Sequence, residues 1–351
     1  MKIVSIVGAR PQFIKLAPLS KKIREFHDEI IIHTGQHYDK NMSNAFFEDL
    51  KINRPKYNLN INGGLHGFQT ARMIEEIEKI LIKEKPKAVI IFGDTNTTLA
   101  ASVAASKLDC VVFHVESGLR SFNRSMPEEI NRIVADHLSD YLFCPTDIAM
   151  KNLSNENLIH KSYLTGDIMV DSIKYALGIS QNRNILKKYK LETNKFYLLT
   201  LHRPYNVDNP LKMKKILNSL SSLDYKVLFP IHPRTKNIFK KNNLIMPNNI
   251  IVIDPLSYLD FINIQKNSKK IITDSGGIQK EAYILKKPCI TLRSETEWVE
   301  TVESGWNLLL NPDIDKNISS EIKSYNCPLK HEPLFGGNVS GKMVNIINNL
   351  L

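Results

Sequence analysis

Three acidic residues in this chain stand where a proton could be handled. Asp94 in FGDTNTTLA and Glu116 in HVESGLRSFNRSMPEEINR each follow a short apolar run, and Glu128 lies on the return of the second stretch. Carboxylates gathered in one place repel, which raises at least one pKa and lets an acid and a base coexist near neutrality. Such a set suits general acid/base chemistry. A divalent metal is the competing reason for three acids, but no recognisable metal-ligand spacing accompanies them. Cations and glycines point to a second chemistry, the grip on an anion. GARPQFIK sets Arg10 and Lys15 a little over one helical turn apart behind a glycine, LHRPYN holds His202 and Arg203, IHPRT holds His232 and Arg234, and RSETEWVETVESG holds Arg293. The most specific local signal is TDSGGIQKEA, where Ser275, Gly276 and Gly277 open a helix whose bare amides suit a phosphate. Glu281, one turn further in, has the reach for a ribose diol. Plainer readings stand beside these: Asp94 as a helix cap, Glu128 or Glu129 as another, Arg124 and Arg132 as neutralisers, His33 as structural, and the His-Arg turns as solvated.

These groups need elements that deliver them to common edges. Residues 2–7, 29–33, 88–92, 111–115, 141–144 and 163–164 read as strands, with helical patterns at 18–26, 69–83 and 98–107 between them. A second series follows, with strands at 197–200, 227–230, 250–253, 270–273 and 289–292 and helices at 211–220, 258–267 and 277–285. Apolar strands without strict alternation, separated by helices, are the pattern of parallel sheets covered on both faces. The fold class is therefore α/β, with two Rossmann-like doubly wound domains facing across a cleft. The first spans 1–168 and carries the carboxylates; the second spans 169–338 and carries the anion-binding groups. The amphipathic segment 339–351 is expected to pack back on the first.

Composition narrows the partners. The 351 residues include 47 Lys and Arg against 36 Asp and Glu, a net charge of +11. That balance suits a polyanionic or phosphorylated partner, yet the basic residues are scattered and form no aromatic-studded stripe, which disfavours nucleic acid. The turn after the first strand matches neither G-x-G-x-x-G nor a Walker A loop, which disfavours a dinucleotide cofactor. No signal peptide or apolar run long enough to span a membrane is read. The four cysteines are far apart, as expected of free thiols in a reducing cytoplasm. Carboxylates in one domain and anion-binding groups in the other suit an enzyme acting on a nucleoside-diphosphate sugar.

In this order GARPQFIK, HTGQHYD, GDTNTTLA, HVESGLRSFNRSMPEEINR, LHRP, IHPRT and TDSGGIQKEA resemble the non-hydrolysing UDP-N-acetylglucosamine 2-epimerase family, from residue 3 to about 305. The resemblance implies a GT-B-like fold, a homodimer, a UDP-sugar as substrate, and no metal or nicotinamide cofactor. It implies that Asp94, Glu116 and Glu128 are the acid/base carboxylates and that His202 is a further catalytic or leaving-group residue. It also implies that Arg10 and Lys15 contact phosphate or position the sugar. Ser275, Gly276 and Gly277 would hold the diphosphate, Glu281 the ribose, and His232, Arg234 and Arg293 the uridine-phosphate side. GARPQ departs from the GTRPE turn of many members. Together with NGGLHG and SFNRSM it resembles the branch handling UDP-2,3-diacetamido-2,3-dideoxyglucuronate, where Gln12 in place of an acid would remove a repulsion. In some members a second UDP-N-acetylglucosamine binds beside the QH-containing loop, whose motif continues with Arg; here Tyr38 and Asp39 follow.

Overall fold

The computed structural model describes residues 1–36, 46–315 and 317–351; His37, Tyr38 and Asp39 of the HTGQHYD run lie outside them. The chain divides into two compact units: Met1–Tyr175 with Pro333–Leu351, and Ala176–Glu332. The division falls inside the helix Met169–Ile179.

Unit 1 is built on seven strands: β1 (Lys2–Val7), β2 (Asp28–His33), β3 (Tyr57–Asn58), β4 (Ala88–Phe92), β5 (Val111–Val115), β6 (Tyr141–Cys144) and β7 (Ser162–Leu164). They lie in the order β3-β2-β1-β4-β5-β6-β7, and the paired neighbours run parallel. The sequence AVIIF of β4 is buried along its whole length, as a central strand covered on both faces must be. Val4, Ile6, Ile30, Ile32, Val89 and Ile91 form one core layer with Met73, Ile77 and the alanines of helix Asn96–Ala105. The C-terminal helix Val339–Leu350 packs against Arg10–Ile23. Its entry passes Gly166, at φ +92°, where a Cβ would lie 2.7 Å from the Phe335 carbonyl oxygen. Only glycine fits both the close approach and the dihedral there.

Unit 2 repeats the plan with β8 (Phe196–Thr200), β9 (Lys226–Pro230), β10 (Ile250–Ile253), β11 (Lys270–Thr273), β12 (Cys289–Thr291) and β13 (Asn307–Leu309). Their order is β10-β9-β8-β11-β12-β13, again parallel. Tyr197 and Leu199 belong to the core on one face, Phe196 and Leu198 to the core on the other. Alternate residues of one strand thus both meet apolar cover. Each sheet is a Rossmann-like, doubly wound layer, the component of a GT-B-like chain. The chain reverses its direction of travel between β1 and β4 in unit 1 and between β8 and β11 in unit 2. Residues just past the carboxyl ends of those strands occupy the crevice where such folds take ligands. Among the described residues no helix is long and apolar enough to cross a membrane.

Candidate active site

At the unit 1 crevice the β1 turn is held shut by Gln12. Its Oε1 accepts from the amides of Gly8 (2.7 Å) and Ala9 (3.0 Å), and its Nε2 donates to the Phe92 carbonyl at 2.8 Å. The side chain is buried. The expectation that Gln12 spares a sugar carboxylate a repulsion is therefore corrected: the amide ties the end of β1 to the end of β4 within the protein. Gly8 is required because a Cβ would sit 2.1 Å from Thr34 Oγ1 and 2.2 Å from Thr97 Oγ1.

Behind that turn, buried Lys15 pairs with the carboxylate of Glu116. Glu116 follows β5 directly with φ +71°, a left-handed conformation costly for a side chain with a Cβ. Such outliers persist where the surrounding fold over-determines them, and they gather at functional sites. Gly93 brings the neighbouring acid close, since its amide donates to the Val115 carbonyl at 3.0 Å. A Cβ on it would lie 3.4 Å from Lys15 Nζ and 3.5 Å from Glu116 Oε2. Asp94 follows directly. Thr95 is the N-cap residue of helix Asn96–Ala105, so the carboxylate of Asp94 is not the cap. It meets Arg132 Nη2 at 2.5 Å instead.

Arg132 sits one turn past Glu128 on helix Pro127–Leu138, which places the two on one face. Neither member of the pair caps the helix, as was expected of one of them: Glu129 is buried and accepts from the loop amides of Ser121 and Phe122, each at 2.9 Å. Glu128 is exposed, and its carboxylate forms no ion pair among the described residues. The expected mutual repulsion of three bare acids is thus corrected, because Asp94 and Glu116 each face a cation. Arg10, on the solvent side of the same turn, stacks over Phe46 with 4.8 Å from its guanidinium to the ring centroid. His33 packs edge-on against Phe13 and lies in the core.

Unit 2 also places an acid just past the strand beside its first strand, in different surroundings. Asp274 follows β11 and is fully buried. Its oxygens accept from the amides of His202 (3.1 Å) and Arg203 (3.1 Å) and from Asn206 Nδ2 (3.2 Å). His202 Nδ1 is 3.2 Å from Asp274 Oδ1. Burial lowers the imidazole from its ordinary value, Asp274 raises it, and Arg203 and His232 lower it. The balance favours neutral imidazole at neutral pH, with Nε2 left for a ligand. Asp274 went unnoticed in the sequence although it lies inside TDSGG. Its strand-end position, matching Asp94, was the available signal.

Ser275 is the N-cap residue of helix Gly276–Ile284, where the first-turn amides have no intrahelical acceptor. Over that end sits Glu297: a Cβ on Gly276 would fall 1.8 Å from its Oε1. Arg293 Nη1 holds the same carboxylate at 2.7 Å. His232 caps helix Pro233–Lys241, its Nδ1 accepting from the Arg234 amide at 3.3 Å, and Arg234 pairs with Asp208 at 2.7 Å. Glu281 accepts from Gln265 Nε2 at 2.7 Å, and burial pushes its carboxyl up to about 7. The hydroxyl of Tyr258, close enough to feel that charge, has no partner among the described residues. Among the described residues, no three His, Cys, Asp or Glu side chains gather as they would around a metal ion.

Unit 1 therefore offers cation-paired carboxylates at its crevice, and unit 2 offers a neutral imidazole, a helix N-terminus faced by Glu297 and a high-pKa carboxyl. Comparison with known proteins places this chemistry. Residues 21–348 match the family model described as UDP-N-acetylglucosamine 2-epimerase. The chain is 49% identical to a UDP-N-acetylglucosamine 2-epimerase homolog of Methanococcus maripaludis, covering all of both chains. It is 45% identical to the UDP-2,3-diacetamido-2,3-dideoxy-D-glucuronate 2-epimerase of Pseudomonas aeruginosa over 98% of each. Among solved structures it resembles UDP-GlcNAc 2-epimerase of Methanocaldococcus jannaschii, in complex with UDP-GlcNAc and UDP, with a TM-score of 0.84 and 44% identity over the whole of both chains. The chain belongs to the UDP-N-acetylglucosamine 2-epimerase family.

Proposed function

We propose that the protein is a non-hydrolysing epimerase that inverts C2 of UDP-N-acetylglucosamine, giving UDP-N-acetylmannosamine. A carboxylate removes the C2 proton, and the C–H electrons form the C1=C2 double bond as the C1–O bond to UDP breaks on the opposite side. The products of this half are a 2-acetamidoglucal and UDP. A second carboxyl then protonates the other face of C2 as a diphosphate oxygen returns to C1, and the two carboxyls reset by proton exchange with solvent, so the cycle needs no oxidant or reductant and consumes no water. Asp94, Glu116 and Glu128 supply the base and the acid, with Lys15 paired to Glu116 and Arg132 to Asp94. His202 stands by the leaving diphosphate. Ser275, Gly276 and Gly277 hold its phosphates on helix amides, Glu281 holds the ribose, and His232, Arg234 and Arg293 serve the nucleotide side. Arg10 meets the phosphates or the sugar. The two proposed domains are those of residues 1–168 with 339–351, and of residues 169–338. Two copies form the active homodimer, and the protein works in the cytoplasm.

The observation that supports this reading most is the Glu116–Lys15 pair beside Gly93 and Asp94, on a strained residue at the ligand end of unit 1. A second reading keeps the chemistry and changes the sugar to UDP-2,3-diacetamido-2,3-dideoxyglucuronate. It is favoured by the likeness to the Pseudomonas protein. Incubating the protein with each nucleotide sugar separately and following the anomeric proton by NMR tests both. Appearance of the manno epimer from UDP-N-acetylglucosamine is expected. Turnover of the diacetamidouronate alone would replace the first reading with the second, and release of free sugar would refute the non-hydrolysing course.

A further inference from the structure

Consecutive residues of the helix Pro127–Leu138 hold Asp94 at both ends. Arg132 Nη2 meets its carboxylate at 2.5 Å, and Asn131 Nδ2 donates to its backbone carbonyl at 3.0 Å. Asn131 is only 5% exposed, which leaves it little surface for a ligand. A carbonyl oxygen only accepts, so Asn131 must turn its amide nitrogen toward Asp94. The same nitrogen lies 3.2 Å from Asn96 Oδ1, and this fixes Asn96 in turn. Asn96 Nδ2 donates to Gln69 Oε1 at 2.8 Å and faces His66 Nδ1 at 3.0 Å. Asn96 and Gln69 are buried as well. The network is therefore directional: three side-chain amides from three helices end on the carbonyl of one proposed acid.

We infer that Asn131 is a positioning residue: it fixes the peptide that follows Asp94, so that the carboxylate leaves the main chain in one direction. The turn has need of it. Gly93, at φ +63°, has no Cβ to restrain the chain as it enters Asp94, and about a third of the Asp94 side chain is exposed. The peptide before Asp94 is anchored to β5, its carbonyl oxygen 2.7 Å from His114 Nε2. Asn131 anchors the peptide after it, and Asp94 is slung between the two. Arg132 alone is a long arm that can follow a carboxylate wherever it swings; a bond to the main chain behind that carboxylate cannot. The helix is a firm base for both. In its first turn Glu129 accepts from the loop amides of Ser121 and Phe122, and near its end buried Asp136 accepts from the Gly118 amide at 3.1 Å. Glu128 rides on the same helix, so Asn131 ties Asp94 to the element that bears a second proposed acid. The inference rests on the part proposed for Asp94.

The test is a double-mutant cycle on kcat, with active sites counted by UDP titration calorimetry. Asn131→Leu keeps the side-chain volume and removes the donor; Asn131→Ser replaces it if the leucine variant does not fold. Either is expected to lose about 100-fold in kcat, with KM for the nucleotide sugar and the affinity for UDP nearly unchanged. In an Asp94→Asn background the same substitution should cost less than about threefold, because a positioning residue acts only through the group it places. A merely structural role would lower kcat alike in both backgrounds. Full kcat in folded Asn131→Leu, or an equal loss with and without the Asp94 carboxylate, would overturn the inference while leaving the proposed reaction standing. Wild-type protein inert toward both nucleotide sugars would refute the proposed reaction and the inference with it.

Discussion

Asp94 and Asp274 stand just past corresponding strands in two copies of one topology, Asp94 two residues beyond β4 and Asp274 one beyond β11, and their surroundings differ. Each follows the strand beside the first strand of its sheet, at the reversal of winding. Asp274 is sealed in, accepting two backbone amides and an asparagine, and it shapes the His202 turn. Asp94 keeps about a third of its side chain exposed and meets a single arginine. Topology therefore supplies the position, while the local donors decide whether an acid there is structural or chemical. Three backbone or amide donors make Asp274 a brace, whereas the part-exposed carboxylate of Asp94 meets Arg132.

The largest effects should come from removing the chemical acids. Glu116→Gln and Asp94→Asn are expected to slow epimerisation by about 100- to 10,000-fold, while UDP binding by calorimetry changes little. Near-normal rates in either variant would erase the contrast between the two aspartates. Asp274→Ala should act the other way round, lowering unfolding stability by about 3–5 kcal/mol because it strands buried donors. Urea unfolding measures this, and a loss no larger than that of Asp94→Asn would contradict the assignment of Asp274 as a brace.

Glu281 sharpens the comparison through pH. Its carboxyl is raised to about 7 by burial, against 4.5 ordinarily. The native state thus holds a proton that the unfolded chain releases. The stability tied to that proton is fully present below about 4.5 and is lost as pH rises through about 7, a change on the order of 3 kcal/mol. Urea unfolding at pH 5 and pH 8 should show this drop in wild type and a much smaller one in Glu281→Gln. Equal drops in both would mean another group titrates. The smallest effect is expected for Gly276→Ala. The new methyl meets the end of a flexible side chain, Glu297, so stability should fall by at most about 1 kcal/mol. A larger loss by the same unfolding assay would show that Glu297 cannot swing aside.

Much of this frame was legible in the residues. Strands 2–7, 88–92, 111–115, 141–144, 250–253 and 270–273 were readable to the residue because largely buried apolar runs end abruptly at glycine, proline or polar residues. The short edge strands Tyr57–Asn58 and Asn307–Leu309 were not, since two or three residues at an edge carry no period. The helix expected at 18–26 runs Arg10–Ile23 instead. Pro11 sits in its first turn, where a missing amide costs nothing, and Pro18 is accommodated inside it. At the site, Asp94, Glu116 and His202 were visible as strand-end residues. Their partners were harder, because Lys15 reaching Glu116, Arg132 reaching Asp94 and Gln12 reaching Phe92 are contacts between elements distant in sequence. Local spacing says nothing about them, and Gln12 was misjudged for that reason.

The claim at the centre is that unit 1 moves the C2 proton while UDP leaves and returns. Incubation with UDP-N-acetylglucosamine in D2O, read by proton NMR at C1 and C2, tests it most directly. Deuterium should enter C2 in both epimers with UDP still attached at C1. Loss of UDP to give free sugar, or a C2 proton that survives in folded protein while UDP binds, would contradict it.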